Sequence, residues 1–257
     1  MILRDMADAR VRGLVLSRNH EVLLVDARLP EAIGPWPSRP LLMLSQHVRE
    51  ALGLELPAPV GSLLPVDGSG PRDFAFVVDK PSSIDPRQSW VRLADAAADD
   101  TVWRTYVECM LGGWEPPRRD LDVFAFGDAG EMAASLVHLV TCGRKRGTAA
   151  WLRSYEREGS PIPVVGSLSV VTDGFGLPRC VIRTEEVRRL RFGDVGEDAA
   201  VLEGEGDLTL ADWRQGHLNY FEREAAGMQM RFDDDEEIML ERFRVVTVIG
   251  RSDPLSG

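Results

Sequence analysis

Lys145 and Thr148 stand three residues apart in the stretch Thr141-Cys-Gly-Arg-Lys-Arg-Gly-Thr148, directly after an apolar run from Met132 to Val140. Further along comes Glu203-Gly-Glu-Gly-Asp207, an acidic run broken by glycines. A threonine hydroxyl is a weak nucleophile until a neighbour takes its proton. A lysine can take it only where burial or nearby cations bring its pKa towards neutral, and Arg144 and Arg146 set cations beside Lys145. A glutamate drawn close would orient that lysine or carry the proton to a leaving amine, but it would also raise the lysine's pKa. Glu203 and Glu205 are the candidates for this role, and residue types alone do not set the balance.

Each of these residues also has a plain structural reading. Lys145 can be a surface lysine or a phosphate anchor, Thr148 a helix N-cap, and Glu203 or Glu205 the partner of an arginine. His217 and Trp213 share an apolar helical face with Tyr220, where a core histidine and core aromatics are the ordinary occupants.

The elements that must position this chemistry can be read along the chain. Residues 11–16 and 21–25 read as strands joined by the polar turn Ser17-Arg-Asn-His20. A proline-rich loop is expected from Pro30 to Pro40, then a helix over Leu42–Leu52 closed by Gly53. A strand follows at 74–78 and a loop at 79–88. Helical spacing is read from Trp90 to Leu111, broken at the acidic stretch near 97–100 and placing Val102, Tyr106, Val107 and Met110 on one face. That break sets a domain boundary, dividing the chain into 1–97 and 98–257. Asp128-Ala-Gly-Glu131 has capping-box form and starts a helix with Met132, Leu136, Leu139 and Val140 on its apolar face. Gly143 ends it, leaving Lys145 to Thr148 free of ladder hydrogen bonds. Residues 168–171 and 180–183 read as strands around the turn Asp173-Gly-Phe-Gly. Thr209 and Asp212 form a second capping box, opening the helix that carries Trp213 and His217. The run Asp233–Glu237 reads as a solvated turn before a last strand, 242–249.

Composition bounds what such a chain can do. Its 257 residues are 44% hydrophobic and 28% charged, as in a globular protein with a real core. A net charge of −11 opposes broad phosphate binding, though not a small basic pocket. Cys109, Cys142 and Cys180 form neither a disulfide framework nor a zinc spacing, and no metal or cofactor is expected. With no membrane-length apolar run and no signal-peptide pattern, the chain is expected to be cytoplasmic.

The second half resembles the ASCH family. The motifs that carry the resemblance are Phe126-Gly-Asp128, Gly143-x-Lys145-x-x-Thr148, Pro163-x-x-Gly166, Asp173-Gly-x-Gly-x-Pro178, Glu203-Gly-Glu-Gly-Asp207, Trp213-x-x-x-His217 and Glu241-Arg-Phe243. The resemblance implies a PUA-like β-barrel with flanking helices over about Val102 to Ile249, and hence an α+β chain. It departs at Ala150, where the family motif carries an arginine. Some small ASCH proteins are amidohydrolases of N4-acetylcytidine that use the motif lysine and threonine with a later glutamate. By that resemblance Lys145, Thr148 and Glu203 are the catalytic candidates. Gly143, Arg144, Arg146, Gly204, Glu205, Trp213 and His217 would line the substrate pocket, with Gly204 and Gly206 letting the backbone approach a planar base closely.

The first half resembles a Nudix domain in a degenerate form, as a small α/β domain. The end of the Nudix box lies over Glu50-Ala-Leu-Gly-Leu54. The second glutamate of the box is Ala51, its preceding Arg-Glu is Gln46-His47, and its upstream glycine and glutamate fall on Ala32 and Ser38. Holding magnesium against a diphosphate needs several carboxylates, and one remains. Two functions are therefore expected to compete: an amidohydrolase of an acylated nucleobase, and a non-catalytic module that binds a nucleoside, nucleotide or short RNA. A Nudix pyrophosphatase is a distant third.

Overall fold

The computed structural model describes residues 9–17, 21–26, 28–34, 40–57, 59–63, 72–79, 81, 86–117, 121–127 and 130–249. In chain order the elements are β1 (Ala9–Ser17), β2 (Glu21–Val25), β3 (Glu31–Gly34), α1 (Pro40–Leu52), β4 (Gly61–Leu63), β5 (Arg72–Val78), β6 (Gln88–Arg92), α2 (Leu93–Ala96), α3 (Asp100–Met110) and β7 (Leu121–Ala125). Then come α4 (Gly130–Thr141), β8 (Gly147–Trp151), α5 (Leu152–Glu158), β9 (Leu168–Thr172), β10 (Pro178–Arg191), a 3-10 turn (Phe192–Asp194), α6 (Glu197–Glu203), α7 (Leu210–Gly227) and β11 (Glu237–Val248). The chain is α+β and forms two compact units. One comprises Met1–Ala125, Thr172–Pro178 and Ile249–Gly257, the other Phe126–Val171 and Arg179–Val248. The division expected between residues 97 and 98 falls inside the first unit, between α2 and α3. No helix among the described residues is long and apolar enough to cross a membrane.

In the first unit the sheet order is β4-β5-β1-β2-β6, with β3 also on β1. β1 runs parallel to β5 and antiparallel to β2 and β3. A strand flanked on both sides and covered on both faces must be apolar throughout, and Leu14, Val15 and Leu16 are all fully buried. Helix α1 sets Leu44 and Val48, one turn apart, into the core of Val15, Leu23, Ala32, Leu54 and Phe76. It starts at Pro40, a residue whose fixed φ suits a first helical position, and ends where Gly53 turns left-handed with its amide on the Arg49 carbonyl. Glu50 lies exposed on α1 and accepts from Gln46 Nε2 at 2.9 Å.

Two expectations for this unit change. The proline-rich stretch contains β3 at Glu31–Gly34, because β1 offers an edge to pair with. Residues Gln88–Arg92 form a strand on β2 rather than the start of a helix. A run of five residues fits either period, and the partner strand decides. Asp99 caps α3 by accepting from the amides of Thr101 and Val102. The expected face of α3, with Val102, Tyr106, Val107 and Met110, is buried.

In the second unit β9, β10, β11 and β8 lie side by side in that order. β11 pairs antiparallel with β10 over Cys180–Arg191 and with β8 over Gly147–Trp151. Ile238 to Glu241 are all buried, so the start of β11 is covered on both faces, and from Glu241 to Arg244 it alternates, with Glu241 and Phe243 buried and Arg242 and Arg244 exposed. The core gathers Trp151, Phe192, Ala199, Ala200, Trp213, Phe221, Phe232, Ile238 and Leu240 from β8, the 3-10 turn, α6, α7, the segment after α7, and β11. Helix α4 buries Ala133, Val137 and Val140, while Met132, expected on that face, is exposed. Its sequence is apolar almost all round, so periodicity does not single out a face. The proposed cap at Asp128 lies outside the described residues.

Candidate functional site

Lys145 follows α4 through a tight reversal. Gly143 adopts φ +78°, and the amides of both Arg144 and Lys145 return to the Leu139 carbonyl. The next amide, of Arg146, bonds the Leu202 carbonyl near the end of α6. That bond ties the Lys145 segment to the helix carrying Glu203, and the two charges meet. Lys145 Nζ lies 2.7 Å from Glu203 Oε2 and 2.5 Å from Glu205 Oε1. The Lys145 and Glu203 side chains are 1% exposed, that of Glu205 34%. The ammonium also lies 5.2 Å from the centroid of the Phe126 ring, which stacks on Phe243.

Glu203 is held from a second direction by α7. Its Oε1 accepts from Trp213 Nε1 at 2.9 Å and lies 3.2 Å from His217 Nε2. His217 Nδ1 faces the Trp213 carbonyl at 3.0 Å. Both partners of the imidazole are acceptors, an arrangement that favours the ring with both nitrogens protonated. Burial by itself would lower the His217 pKa, but Glu203 and the Trp213 carbonyl outweigh it and raise it. The carboxyl of Glu203, which burial alone would raise, is brought down to about 2 by Lys145 and His217. Lys145 follows the same pattern: burial favours the neutral amine, yet Glu203 and Glu205 together hold it protonated above its ordinary value. The centre therefore sets two carboxylates against the Lys145 ammonium and an imidazole whose protonation Glu203 favours, nearly all of it out of water.

Residue types left open whether the arginines or the glutamates set the state of the lysine, and the contacts with Glu203 and Glu205 favour the cation. Arg144 and Arg146 are both exposed, and Arg146 folds its Nε back onto the Gly143 carbonyl at 3.0 Å. The glycines also serve a different end. Gly204, at φ +66°, caps α6, and a Cβ there would stand 2.3 Å from the Arg144 carbonyl oxygen. A Cβ on Gly206, at φ +52°, would collide with the Asp212 carboxylate. Both glycines admit neighbouring protein rather than a planar base. Trp213 is buried and stacks on both Phe192, at 5.7 Å between centroids, and His217, at 4.0 Å.

Thr148 lies inside β8, not free in a loop after α4, and pairs with Glu241 of β11. Among the described residues Lys145 Nζ bonds Glu203 and Glu205 and does not bond Thr148. Directly paired residues of antiparallel strands share a face, so Thr148 faces the same way as Glu241. Glu241 is buried and accepts from Thr184 Oγ1 at 2.6 Å. Sequence reading quoted Glu241 within a motif but gave it no role. Its signal was a carboxylate in the buried phase of an alternating strand. A separate cavity of about 190 Å³ is lined by Glu186, Arg188, Asp198, Leu202, Leu240 and Arg242. Its charged rim is internally paired, Arg188 with Asp198 and Arg242 with Glu186.

Residues 122–247 match the ASCH domain family model. A protein of Enterococcus faecalis V583, known from its crystal structure, is 30% identical, with 58% of this chain and 88% of that one covered and a TM-score of 0.50. The chain belongs to the ASCH-domain family. An ASCH domain from Lactobacillus crispatus JV V101 is 35% identical over 49% of this chain and 80% of its own, with a TM-score of 0.47. A Chromobacterium violaceum structure described within the nudix hydrolase family is 15% identical over 55% of this chain and 94% of its own, with a TM-score of 0.31. No curated protein matches the chain. In this ASCH domain the motif lysine and the later glutamate of the sequence resemblance are in direct contact.

Proposed function

We propose that the ASCH domain binds a nucleoside, nucleotide or the base of a short RNA, with Lys145 acting as a fixed ammonium donor rather than as a general base. The observation that carries this reading is the clamp of Glu203 and Glu205 on Lys145. A cation held between two carboxylates has no lone pair with which to take a proton, but in a dry site it is a strong donor to an acceptor oxygen. The nucleobase class comes from the resemblance of Gly143-x-Lys145-x-x-Thr148 and Glu203 to family members that act on a modified cytidine.

A second reading, hydrolysis of an acylated nucleobase amide, is favoured by the same contact. Lys145 and Glu203, distant in sequence, meet at 2.7 Å within three residues of Thr148. In that reaction the Thr148 oxygen attacks the acyl carbon and Lys145 steadies the developing oxyanion. The threonine proton passes by way of water to the amine nitrogen as the C–N bond breaks, and a second water then cleaves the acyl-threonine to the free acid.

Thermal-shift titration of the full chain with nucleosides, including N4-acetylcytidine, nucleotides and short RNAs tests the first reading. A ligand at a hundred times its Kd stabilises the fold by about 2.7 kcal/mol. Silence across all of these ligands would overturn it. Chromatography of the bound ligands decides the second: a deacylated product formed by the wild type and lost in Thr148→Val establishes turnover. An unchanged ligand leaves binding alone.

A further inference from the structure

In the cluster around Lys145, Glu203 and Glu205 are not equivalent. Glu203 is fixed from three directions, by Lys145, Trp213 and His217, and is sealed from solvent. Glu205 reaches the same ammonium from the solvent side, and among the described residues its carboxylate bonds only Lys145. Its backbone belongs to the short link from α6 to α7, between left-handed Gly204 and Gly206 and just before Leu208, which also has positive φ. One side-chain rotation into water would uncover the ammonium without disturbing either helix.

We propose that the Glu205 carboxylate occupies the place of a ligand's acceptor oxygen, and that the ligand reaches Lys145 by displacing it. This deepens the binding reading above and rests on it for the nucleobase class. With Glu205 withdrawn, one side of the Lys145 ammonium is left without a carboxylate, and Glu203 is shared between Lys145, Trp213 and His217. The vacated position then carries a local positive charge. It selects an oxygen bearing negative charge or a strong dipole, such as the carbonyl of a pyrimidine or of an acyl group, or a carboxylate. It rejects an amine. The same carboxylate keeps Lys145 from unselective anions while the site is empty, so Glu205 sets both affinity and selectivity.

The test uses formate as the probe, because its carboxylate matches the group removed. Full-length Glu205→Ala should bind formate saturably, at least tenfold more tightly than the wild type. Binding is read as a rise in Tm over chloride at equal ionic strength, and as movement of the Trp213 indole N–H resonance, which reports on Glu203. Glu205→Gln keeps the volume and an acceptor oxygen but not the charge. It should bind formate at least threefold more tightly than the wild type, and it carries the test should the alanine variant fail to fold. Formate binding no tighter in the folded variants than in the wild type, or a Tm rise without movement of Trp213, overturns the proposal. Formate binding in Glu205→Ala supports the displacement even if no nucleoside binds any form of the protein, an outcome that would remove only the nucleobase reading.

Discussion

The Lys145–Glu203 contact is best understood from the cost of breaking it. Two ions withdrawn from water gain little over apolar residues of the same size, but removing one strands the other. Lys145→Met is therefore expected to lower stability by up to about 3–5 kcal/mol in urea denaturation, because it leaves the buried Glu203 with only Trp213 and His217 as partners. Trp213→Phe keeps a ring between Phe192 and His217 but removes the indole donor to Glu203, and should cost about 1–3 kcal/mol. The histidine gives a pH signature. Since the native pKa of His217 is raised, its contribution is complete below its ordinary value of 6.5 and is lost as pH rises through the native value. Glu203 works in the opposite sense: its contribution is complete above its ordinary 4.5 and is lost as pH falls towards about 2. Unfolding free energy measured from pH 5 to 9 should decline on the alkaline side through this group, and His217→Gln should flatten that decline.

At the scale of elements, the site depends on how α6, α7 and β8 are tied at their ends. Thr209 caps α7 by accepting from the Asp212 amide, but the box is not reciprocal: the Asp212 carboxylate takes the Asp207 amide instead. Thr209→Ala should cost about 1 kcal/mol, read as a lower denaturation midpoint with unchanged slope. Gly204→Ala should be more damaging than a usual glycine substitution, since both its left-handed backbone and the Arg144 carbonyl oppose a Cβ. It should separate Lys145 from Glu203 but leave the Glu203–His217 contact, so the decline of stability through His217 should persist. Glu236 shows the same logic in the acidic run, where a solvated turn was expected. It accepts from Trp151 Nε1 and Arg153 Nε and so fastens the start of β11 to β8.

For the whole molecule, charge is the governing quantity. A chain of net charge −11 repels a polyanion everywhere except where local cations prevail. If the ASCH domain takes an RNA end, affinity should depend on salt only as steeply as one or two phosphate contacts allow, a log–log slope between about −0.7 and −1.4 for single strands. Titration between low and physiological salt would show it, and a steep slope would mean an extended RNA track instead of a base-sized site.

Some of this protein was legible in its residues before any contact was known. Patterning and punctuation marked α1 with its glycine stop, the buried face of α3 and the start of α7 at Thr209, because caps and periodicity are local. Motif order pointed to the ASCH family and to Lys145, Thr148 and Glu203 together. Tertiary structure decided the rest. It placed Thr148 in a strand, because β11 supplies the ladder partner. It stacked Trp213 on Phe192 and His217, set Gly204 and Gly206 against neighbouring protein, and buried Glu241 in β11. Above all it fixed the charge on Lys145. Sequence offered arginines that would lower its pKa and glutamates that would raise it, and the winner depends on distance. Folding put the carboxylates at 2.7 and 2.5 Å, the arginines in water, and the balance on the side of the cation.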